Sequence, residues 1–550
     1  MNKEKKTVVI VGGVAGGMSF ATRYRRLNQE DKIIVVDKNP YVSFANCGLP
    51  YHISYEIEER GDLIVVGQET LEKRFQLEIR PNEEVISIDS EEKVLRTKTK
   101  EGEGKIPYDV LVLSPGAVPI SLEAEGIESH KGTFGLRNIP DLDRIMQFIE
   151  EEKPEEATIV GGGFIGLEVA ENLVDRGISV NMIQRSGSVL PPFDPEMARF
   201  AQEELENNGV KLFLENEIEK IEGNTLTLKD GTVLESKLLI EAIGVRPETE
   251  FLKGSGIELG MKDGIVVNEN YETSVKDIYA IGDAIIVKHT ITGEDAMIAL
   301  ASPANRQGRQ LADMLSGIEH KLSGSLGTAI VRIFTKAFGS TGLKEAQLKG
   351  RNFQALHLVG KSNAGYFPTA KDVYLKVLFD KDTHEILGAQ AIGEKGVDKR
   401  IDVIATAIKA GMKVEDLQEL ELSYAPPFGS AKDLVNMAGY FAHNVILGLT
   451  NPIQIYELQE KLEEGYELID VRGEKEYAAG HIQGAKNIPL DELRDRLKEL
   501  DKNKKYIVHC RSSVRSYNAE RILKEAGYSV MNLDGSYIYY SANYPEKIEK

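Results

Sequence analysis

The sequence predicts an α/β protein of roughly three or four domains, and three observations support this class. Two units of strand, glycine-rich loop and helix begin near residues 7 and 157, a pattern typical of parallel sheets covered by helices. From about residue 326 the pattern changes to longer alternating strands followed by a helix, which indicates an α+β segment. The last ~95 residues alternate short strands and helices, enough for one small α/β domain.

Composition and charge narrow the function classes. The net charge of −20 argues against nucleic acid or an anionic membrane as the main partner, because both require a basic face. No run of about 18 uncharged apolar residues is present, so a membrane span is not expected. The start, MNKEKK followed by TVVIVGGVAGGMSFA, imitates a signal peptide, but its glycines fit a strand–turn–helix unit. We therefore expect a cytoplasmic protein.

The first glycine-rich loop follows the strand KKTVVIVGG. Gly12 and Gly17 occupy the outer positions of a G-x-G-x-x-G pattern, while Val14 stands at the middle position. Asp37 ends the next strand, where a carboxylate accepts a hydrogen bond from a ribose hydroxyl. The alternative is an ordinary surface acid in a turn.

The second loop has the complete pattern. Gly161, Gly163 and Gly166 follow a strand and open a helix, so the helix N-terminus would face a pyrophosphate. The alternative is a tight turn without a ligand. Gln184 and Arg185 end the next strand, where Gln184 can bind a ribose hydroxyl and Arg185 a 2′-phosphate. Both NADH and NADPH therefore remain open.

Further motifs show a family resemblance. With SPGAVP (114–119), AIGVRP (242–247) and YAIGDA (279–284), residues 6–445 resemble the pyridine nucleotide-disulfide oxidoreductase family. The resemblance implies Rossmann-like FAD and NAD(P)H domains, with Gly282 allowing close approach and Asp283 contacting the FAD ribityl chain. The implied cofactor-binding residues are Gly12, Gly13, Ala15, Gly16, Gly17, Asp37, Lys38, Pro115, Gly116, Gly161, Gly163, Gly166, Gln184, Arg185, Gly244, Gly282 and Asp283.

The chain has two cysteines, Cys47 and Cys510, so no disulfide framework or internal CxxC is possible. Cys47 lies in SFANCGLP, without a second cysteine within reach, and must act as a single thiol unless it is a small buried hydrophobe. This segment resembles the single-cysteine branch, which contains coenzyme A-disulfide reductases, NADH oxidases and peroxidases, and persulfide reductases. Ala15 stands where the oxidases and peroxidases carry histidine, which disfavours oxygen or peroxide as substrate.

Two tyrosines replace the histidine that two-cysteine reductases use as an acid–base. Tyr424 in ELSYAPPFGSAKD and Tyr366 in NAGYFP resemble tyrosines of coenzyme A-disulfide reductases, which reach the partner subunit's active site in a homodimer. A phenol can stabilise a departing thiolate, although each tyrosine alone could be core packing. The implied substrate-binding residues are Ser19, Arg23, Arg26, Ser43, Asn46, Asn305 and Lys432. Arg23 and Arg26 share one helical face, a basic site for coenzyme A phosphates or a solvated face.

Residues 455–550 resemble rhodanese through LIDVRGEKEYAAGHIQGAKNIPL and YIVHCRSSVRS. The loop CRSSVR would wrap backbone N–H groups around the Cys510 sulfur. Its C-x4-R spacing is one residue shorter than the C-x5-R of cysteine phosphatases, which favours sulfur transfer over phosphate chemistry. A domain that only docks partners is the alternative. The expected loop residues are Asp470, Arg472, Arg511, Ser512, Ser513 and Arg515.

The expected domains are FAD binding (1–115 and 246–325), NAD(P)H binding (116–245), an α+β dimerisation domain (326–446), a linker (447–458) and rhodanese (459–550). The hypothesis is NAD(P)H-dependent reduction of coenzyme A disulfide or related persulfides through Cys47, coupled to a sulfur carrier at Cys510, with no metal. One alternative is a persulfide or polysulfide reductase with coenzyme A bound through Cys47 as a prosthetic group. The other is a slowly turning over FAD-binding redox sensor or sulfur carrier.

Overall fold

The computed structural model describes residues 5–322 and 324–550, so the first four residues and Ser323 of the predicted FAD domain lie outside it. The chain forms two compact units. The first contains the residues up to Val189 and Glu206–Gly327, and the second contains Leu190–Leu205 and Thr328–Lys550. Across the described residues, no helix combines the length and apolar composition needed to cross a bilayer.

The first unit contains two parallel sheets, each built around a glycine-loop strand. Each central strand ends in four consecutive buried residues, VVIV in the first and ATIV in the second, as expected for sheets covered on both faces. One sheet has the order Ile278–Ala280, Val110–Leu113, Thr7–Val11, Lys32–Asp37, Glu78–Pro81; the other has the order Lys211–Leu214, Ser179–Gln184, Glu156–Val160, Leu238–Glu241, Thr133–Gly135.

Helices and small antiparallel sheets complete this unit. The helix Ile139–Glu152 begins at a capping box, in which Asn138 and Asp141 satisfy each other's backbone N–H groups. The other helices are Ala15–Leu27, Leu49–Ile53, Gln68–Phe75, Phe164–Asp175 and Ala301–Leu315. The antiparallel strands are Glu84–Asp89, Val94–Thr99 and Gly102–Pro107; Ile218–Glu222, Thr225–Leu228 and Val233–Glu235; Ala117–Pro119 with Val245–Pro247; and Val287–Lys288 with Asp295–Ala296.

The second unit begins with an antiparallel sheet and the helices that cover it. The strand order is Ala329–Ile333, Lys336–Gly342, Ile386–Gly393, Asp372–Asp380, Phe353–Lys361, and the helices are Pro195–Asn207, Val397–Ala410 and Leu434–Ile446. Because Phe353–Lys361 is an edge strand, its outward backbone groups need partners. The C-terminal domain supplies them: the His357 N–H donates to the Asp534 carboxylate (3.0 Å), and Gln454 Nε2 donates to the Ala355 carbonyl (3.1 Å).

The C-terminal domain has a five-stranded parallel sheet in the order Pro452–Ile453, Ser529–Leu533, Lys505–His509, Tyr466–Asp470, Lys486–Asn487. Its first strand lies within residues 447–458, the segment predicted as a linker. Its helices are Leu458–Glu463, Glu474–Ala478, Leu490–Arg496, Val514–Glu525 and Ser536–Asn543, and the pair His481–Ile482 and Ile548–Glu549 closes the domain. The domain boundaries stay predictions.

A buried ionic cluster lies beneath the junction of these two domains. The Lys376 ammonium is fully buried and contacts the carboxylates of Asp194 (2.8 Å), Glu345 (2.6 Å) and Glu196. These three carboxylates lie close enough together to hold a metal ion, but the ammonium supplies their positive charge. Since one cation faces three acids, the second positive charge that His357 places beside Glu196 (3.2 Å) stabilises the cluster.

Candidate functional sites

The first glycine loop is built so tightly that side chains would not fit. Gly12 has φ +98°, and a Cβ there would lie 2.1 Å from the Ser114 carbonyl oxygen. A Cβ on Gly17 would lie 1.9 Å from the Gly12 carbonyl oxygen, so glycine permits the close packing of helix on strand. The Gly13 N–H donates to Asp37 (2.8 Å), so the predicted ribose acid also holds the loop.

The second glycine loop repeats this construction. Gly161 has φ +109°, and a Cβ on Gly166 would lie 2.0 Å from the Gly161 carbonyl oxygen. The Gly162 N–H donates to Gln184 Oε1 (2.9 Å), the role that Asp37 has in the first loop. At Gly163 a Cβ would meet no atom within 4 Å, which explains how the first loop tolerates Val14 at the same position. Arg185 is exposed beside this loop.

The remaining predicted FAD residues converge with an arginine that the motifs did not indicate. Gly282 has φ +84° and its N–H donates to Gln307 (2.7 Å). Burial raises the pKa of Asp283, against the opposing effect of the Arg137 charge, and burial lowers the pKa of Arg137. A Cβ on Gly116 would lie 2.8 Å from an Arg137 guanidinium nitrogen. A desolvated guanidinium beside two glycine-shaped turns fits an anionic ligand such as the FAD pyrophosphate.

Other predicted cofactor positions have structural partners. Lys38 forms an ion pair with Glu248, whose backbone N–H donates to the Gly116 carbonyl next to Pro115 (3.0 Å). Ala15 is the first residue of the helix Ala15–Leu27. A Cβ on Gly16 would lie 2.8 Å from Ser114 Oγ, and Gly244, with φ +118°, accepts from the Ile120 N–H (3.0 Å).

Cys47 lies in the short 3-10 helix Asn46–Gly48, and its residue is exposed. The segment is tied to the first glycine loop, because the Ser43 N–H donates to the Gly13 carbonyl (2.8 Å). Asn46 Nδ2 donates to the Arg137 carbonyl (3.0 Å). Partial desolvation raises the pKa of the Cys47 thiol, and the charges of Glu168 and Asp283 raise it further.

The other predicted substrate residues of the first unit lie on the helices Ala15–Leu27 and Ala301–Leu315. Ser19 Oγ donates to Asn305 Oδ1, which joins the helices Ala15–Leu27 and Ala301–Leu315. Arg23 is held by Asp313 (2.6 Å), whereas Arg26 lies over the ring of Phe75 (5.0 Å to the centroid). The two arginines therefore have different neighbours, although both lie on the same helix.

In the second unit, the structure brings the two predicted tyrosines together. The Tyr366 and Tyr424 hydroxyl oxygens are 3.4 Å apart, and both residues are exposed, Tyr366 by 76%. The hydrogen bond with Tyr424 raises the pKa of Tyr366. Lys432 is exposed on the same domain and lines a cavity of about 340 Å³.

Cys510 is buried directly after the strand Lys505–His509. Its N–H donates to Ser536 Oγ (3.3 Å), which also contacts Ser513 Oγ (3.4 Å). Ser513 has φ +72° and turns the loop, past Ser512, into the helix Val514–Glu525. This compact turn agrees with a loop whose backbone groups surround one sulfur atom.

The charged residues predicted for the rhodanese loop form ion pairs. Arg472 binds the buried Asp470 carboxylate through two nitrogens (2.6 and 2.9 Å) and stacks on the Tyr537 ring. The Tyr537 N–H donates to the Cys510 carbonyl (3.0 Å), so the ion pair supports the loop indirectly. Arg515 binds Glu476 through two nitrogens (2.6 and 2.8 Å), which lowers the pKa of that carboxyl to about 2. Arg511 contacts Asp372 of the preceding domain (3.2 Å).

Comparisons with known proteins place the chain in a family. The model of the pyridine nucleotide-disulphide oxidoreductase family matches residues 6–308, more than half of the chain. The chain belongs to this family. The model of the pyridine nucleotide-disulphide oxidoreductase dimerisation domain matches residues 328–434, and the model of the rhodanese-like domain matches residues 454–543.

Several relatives of this oxidoreductase have names or structures. It is 35% identical to the coenzyme A disulfide reductase of Staphylococcus haemolyticus over 80% of this chain and 100% of that protein. The corresponding protein of Staphylococcus aureus strain MSSA476 is 38% identical over 79% and 99%. The crystal structure of reduced Bacillus anthracis CoADR-RHD covers 100% of both chains at 47% identity with a TM-score of 0.98. An NAD-dependent persulfide reductase from A. fulgidus covers 97% and 100% at 32% identity with a TM-score of 0.91.

These findings confirm the predicted family, the α/β fold class and the enzyme class of this oxidoreductase, including its rhodanese domain. FAD and NAD(P)H follow from the family. The roles of individual site residues stay predictions. Arg137 and Glu168 are further candidates that the motifs did not indicate: the charge of Arg137 lowers the pKa of Asp283, and the charge of Glu168 raises that of Cys47.

Proposed function

We propose that this protein reduces coenzyme A disulfide with NAD(P)H through Cys47, with bound FAD between them. The number of cysteines carries the proposal: Cys47 is accompanied only by Cys510, which belongs to the rhodanese domain. The second sulfur of a redox disulfide at Cys47 must therefore come from the substrate. The relatives named coenzyme A disulfide reductase match this chain over 79–80% of its length.

The first chemical step is disulfide exchange at Cys47. The thiolate attacks one sulfur of the substrate, a Cys47–coenzyme A disulfide forms, and the substrate S–S bond breaks to release one coenzyme A thiolate. In a homodimer, Tyr366 and Tyr424 of the partner subunit donate a hydrogen bond or proton to this leaving thiolate. The raised pKa of Tyr366 keeps its phenol protonated and able to donate.

The residues around these groups bind and orient. Asp37, Asp283 and Arg137 with the first glycine loop would hold FAD, and Gln184 and Arg185 with the second loop would hold NAD(P)H. When bound, FAD supplies the two electrons from NAD(P)H that split the mixed disulfide. The positive charges of Arg23, Arg26 and Lys432 match the phosphates of coenzyme A. Substrate contacts are proposed for Ser19, Arg23, Arg26, Ser43, Asn46, Asn305 and Lys432.

An anaerobic titration with three proteins tests the proposal. NADH or NADPH should bleach the flavin absorbance of the wild-type enzyme, and coenzyme A disulfide should restore it. Cys47→Ser should be bleached but not reoxidised by the disulfide, whereas the matched variant Cys510→Ser should behave as the wild type. Failure of both nicotinamides to bleach the flavin would instead support the slow redox sensor or sulfur carrier.

A second candidate function is reduction of persulfide sulfur, with coenzyme A held through Cys47. It is favoured by the similarity to a persulfide reductase over 97% of this chain and by the attached rhodanese domain. Turnover of coenzyme A disulfide and coenzyme A persulfide should be compared before and after Cys510→Ser. Loss of only the persulfide activity favours this candidate, and unchanged rates on both substrates contradict any coupling. The mass of the unreduced protein shows whether coenzyme A is attached.

A further inference from the structure

A cavity of about 340 Å³ lies between the dimerisation domain and the rhodanese loop, within the second unit. Its rhodanese wall is formed by Ser512, Ser513 and Val514, the residues that follow Arg511 after Cys510, and by Tyr517 and Asn518. Its volume is within the range of about 300–1,000 Å³ typical of small-molecule sites. The cavity therefore borders the loop that carries Cys510, while the buried thiol itself is not among its lining residues.

The opposite wall carries an apolar patch. It includes Leu434, Met437 and Phe441 of the helix Leu434–Ile446 and Leu358 of the edge strand Phe353–Lys361. Such walls stabilise an uncharged, partly apolar ligand segment but do not compensate a compact ion for its lost water.

The charge around the cavity has one sign. Lys361 and Lys432 line it, and no acidic side chain lines it in the part of the chain that the structure describes. Lys361 contacts Asp372 (2.8 Å), which also contacts Arg511, so two cations share one carboxylate. An anionic group is therefore favoured at this edge.

Contacts between the two domains fix the walls. Asp534 accepts from the His357 backbone N–H and side chain (3.0 and 2.9 Å), and Arg511 contacts Asp372 (3.2 Å). The cavity is thus held in place by the same contacts that cover the edge strand, which preorganises it for a ligand.

We propose that this composite cavity binds the sulfur donor of Cys510, an organic persulfide with an uncharged, partly apolar stem and an anionic group beyond it. In the step, the Cys510 thiolate attacks the outer sulfur of R–S–SH. A Cys510–sulfur bond forms, the original S–S bond breaks, R–S⁻ leaves with the bonding electrons, and the proton stays on the transferred sulfur. The Cys510 sulfur is oxidised while the donor's inner sulfur is reduced, so no further reductant is needed.

This inference rests on the proposed function only in treating Cys510 as a sulfur carrier. The stem could be the arm of coenzyme A or belong to a smaller persulfide. The test therefore uses three donors on the full-length protein: coenzyme A persulfide, pantetheine persulfide and thiosulfate. The rate at which the Cys510 peptide gains the mass of one sulfur atom is measured for each.

Asn518→Trp should fill part of the cavity from the rhodanese side and slow loading from persulfides about tenfold or more relative to thiosulfate. Met437→Gln, from the dimerisation side, should shift the same ratio. The control Asn503→Trp changes another exposed asparagine of the rhodanese domain outside the cavity and should leave all three rates unchanged. If only the loading rate from coenzyme A persulfide falls, the occupant is the coenzyme A arm. If the loading rates from both persulfides fall, the cavity binds the stem that the two donors share.

Equal slowing of all three donors would overturn the proposal, because it would indicate damage to the loop. Unchanged persulfide rates in Asn518→Trp would also overturn it. If this variant changes only the stability of the dimer, a second copy of the chain covers the cavity, and the proposal is again overturned. NAD(P)H-dependent reduction of coenzyme A disulfide is measured on the same samples. If this reduction is absent, the proposed function is contradicted. The ratios of the loading rates would still show whether the cavity binds the persulfide donor.

Discussion

The second unit should lose stability in mildly alkaline solution, because His357 then loses its proton. Its buried imidazole lies between Asp534 (Nδ1, 2.9 Å) and Glu196 (Nε2, 3.2 Å). Burial disfavours the imidazolium and the Lys376 charge opposes it, but the two carboxylates outweigh both and raise the pKa of His357 to about 9. The perturbation is an increase in pH, which removes this positive charge from between two buried acids.

The magnitude follows from proton linkage. A histidine in the unfolded chain has a pKa of about 6.5, so a value of about 9 in the folded protein stabilises it by about 3 kcal/mol. The folded state binds the proton more tightly, so this contribution is complete below pH 6.5 and is lost as pH rises through 9. Burial alone lowers the pKa of Lys376, but its three carboxylates raise it overall, so the ammonium stays charged in this range.

Hydrogen exchange at the His357 amide measures this loss locally, since that N–H is bonded to Asp534 across the domain junction. After correction for intrinsic exchange, protection should fall about a hundredfold between pH 6.5 and 9, where about half of the folded molecules still hold the proton. His357→Gln keeps a donor for Asp534 but does not titrate, so its protection should be lower at pH 6.5 and flat. A flat wild-type profile, or parallel profiles for both proteins, would refute the assignment of His357 as a buried cation.

Three further predictions concern single residues. Burial lowers the pKa of His509 to about 4, so the unfolded state binds more protons than the folded state below pH 6.5. The free energy of unfolding of the rhodanese domain, measured by hydrogen exchange, should therefore fall by about 3 kcal/mol by pH 4. His509→Leu should remove this pH dependence. Arg472→Met leaves Asp470 buried and unpaired, which should cost about 3–5 kcal/mol and lower the domain's calorimetric Tm by more than about 10 °C, largely restored by adding Asp470→Leu. Gly17→Ala should abolish FAD retention on purification, because its Cβ would lie 1.9 Å from a carbonyl oxygen, whereas Gly61→Ala, with no atom within 4 Å, should keep the flavin. The first prediction is contradicted if His509→Leu still loses stability in acid. The second is contradicted if Arg472→Met leaves the Tm unchanged, and the third if Gly17→Ala retains its full flavin content.

The sequence could predict the features that depend on local backbone geometry. Gly12, Gly17, Gly161 and Gly166 sit at fixed spacings because each faces a carbonyl oxygen within its own loop or the adjacent strand end. Asp37 could be placed for a similar reason, since the strand ends beside the loop whose N–H it accepts. Such contacts repeat whenever the same strand–turn–helix unit is built, so a short motif carries them.

Contacts between segments that are far apart in the chain could not be predicted from a short sequence motif. His357 and Asp534 are separated by 177 positions, and neither lies in a motif. Arg137 likewise becomes a candidate ligand only because its guanidinium packs against Gly116. Arg23 and Arg26 are predicted to share a helical face; Asp313 holds the first, and the second lies over the ring of Phe75. Periodicity specifies a face, whereas the partner on that face is specified by tertiary packing.

The surroundings of Cys47 bear on which of the two sulfurs leaves when the S–S bond of a mixed disulfide breaks. Partial desolvation and the carboxylates of Glu168 and Asp283 raise the pKa of this thiol. In thiol–disulfide exchange, the sulfur with the lower thiol pKa leaves faster. The raised pKa of Cys47 therefore shifts the preference of an external thiol that attacks a Cys47–coenzyme A disulfide toward release of coenzyme A. Glu168→Gln removes one of these charges, lowers the pKa of Cys47 and should reduce that preference, which makes the acidic surroundings a determinant of where the substrate's sulfur is retained.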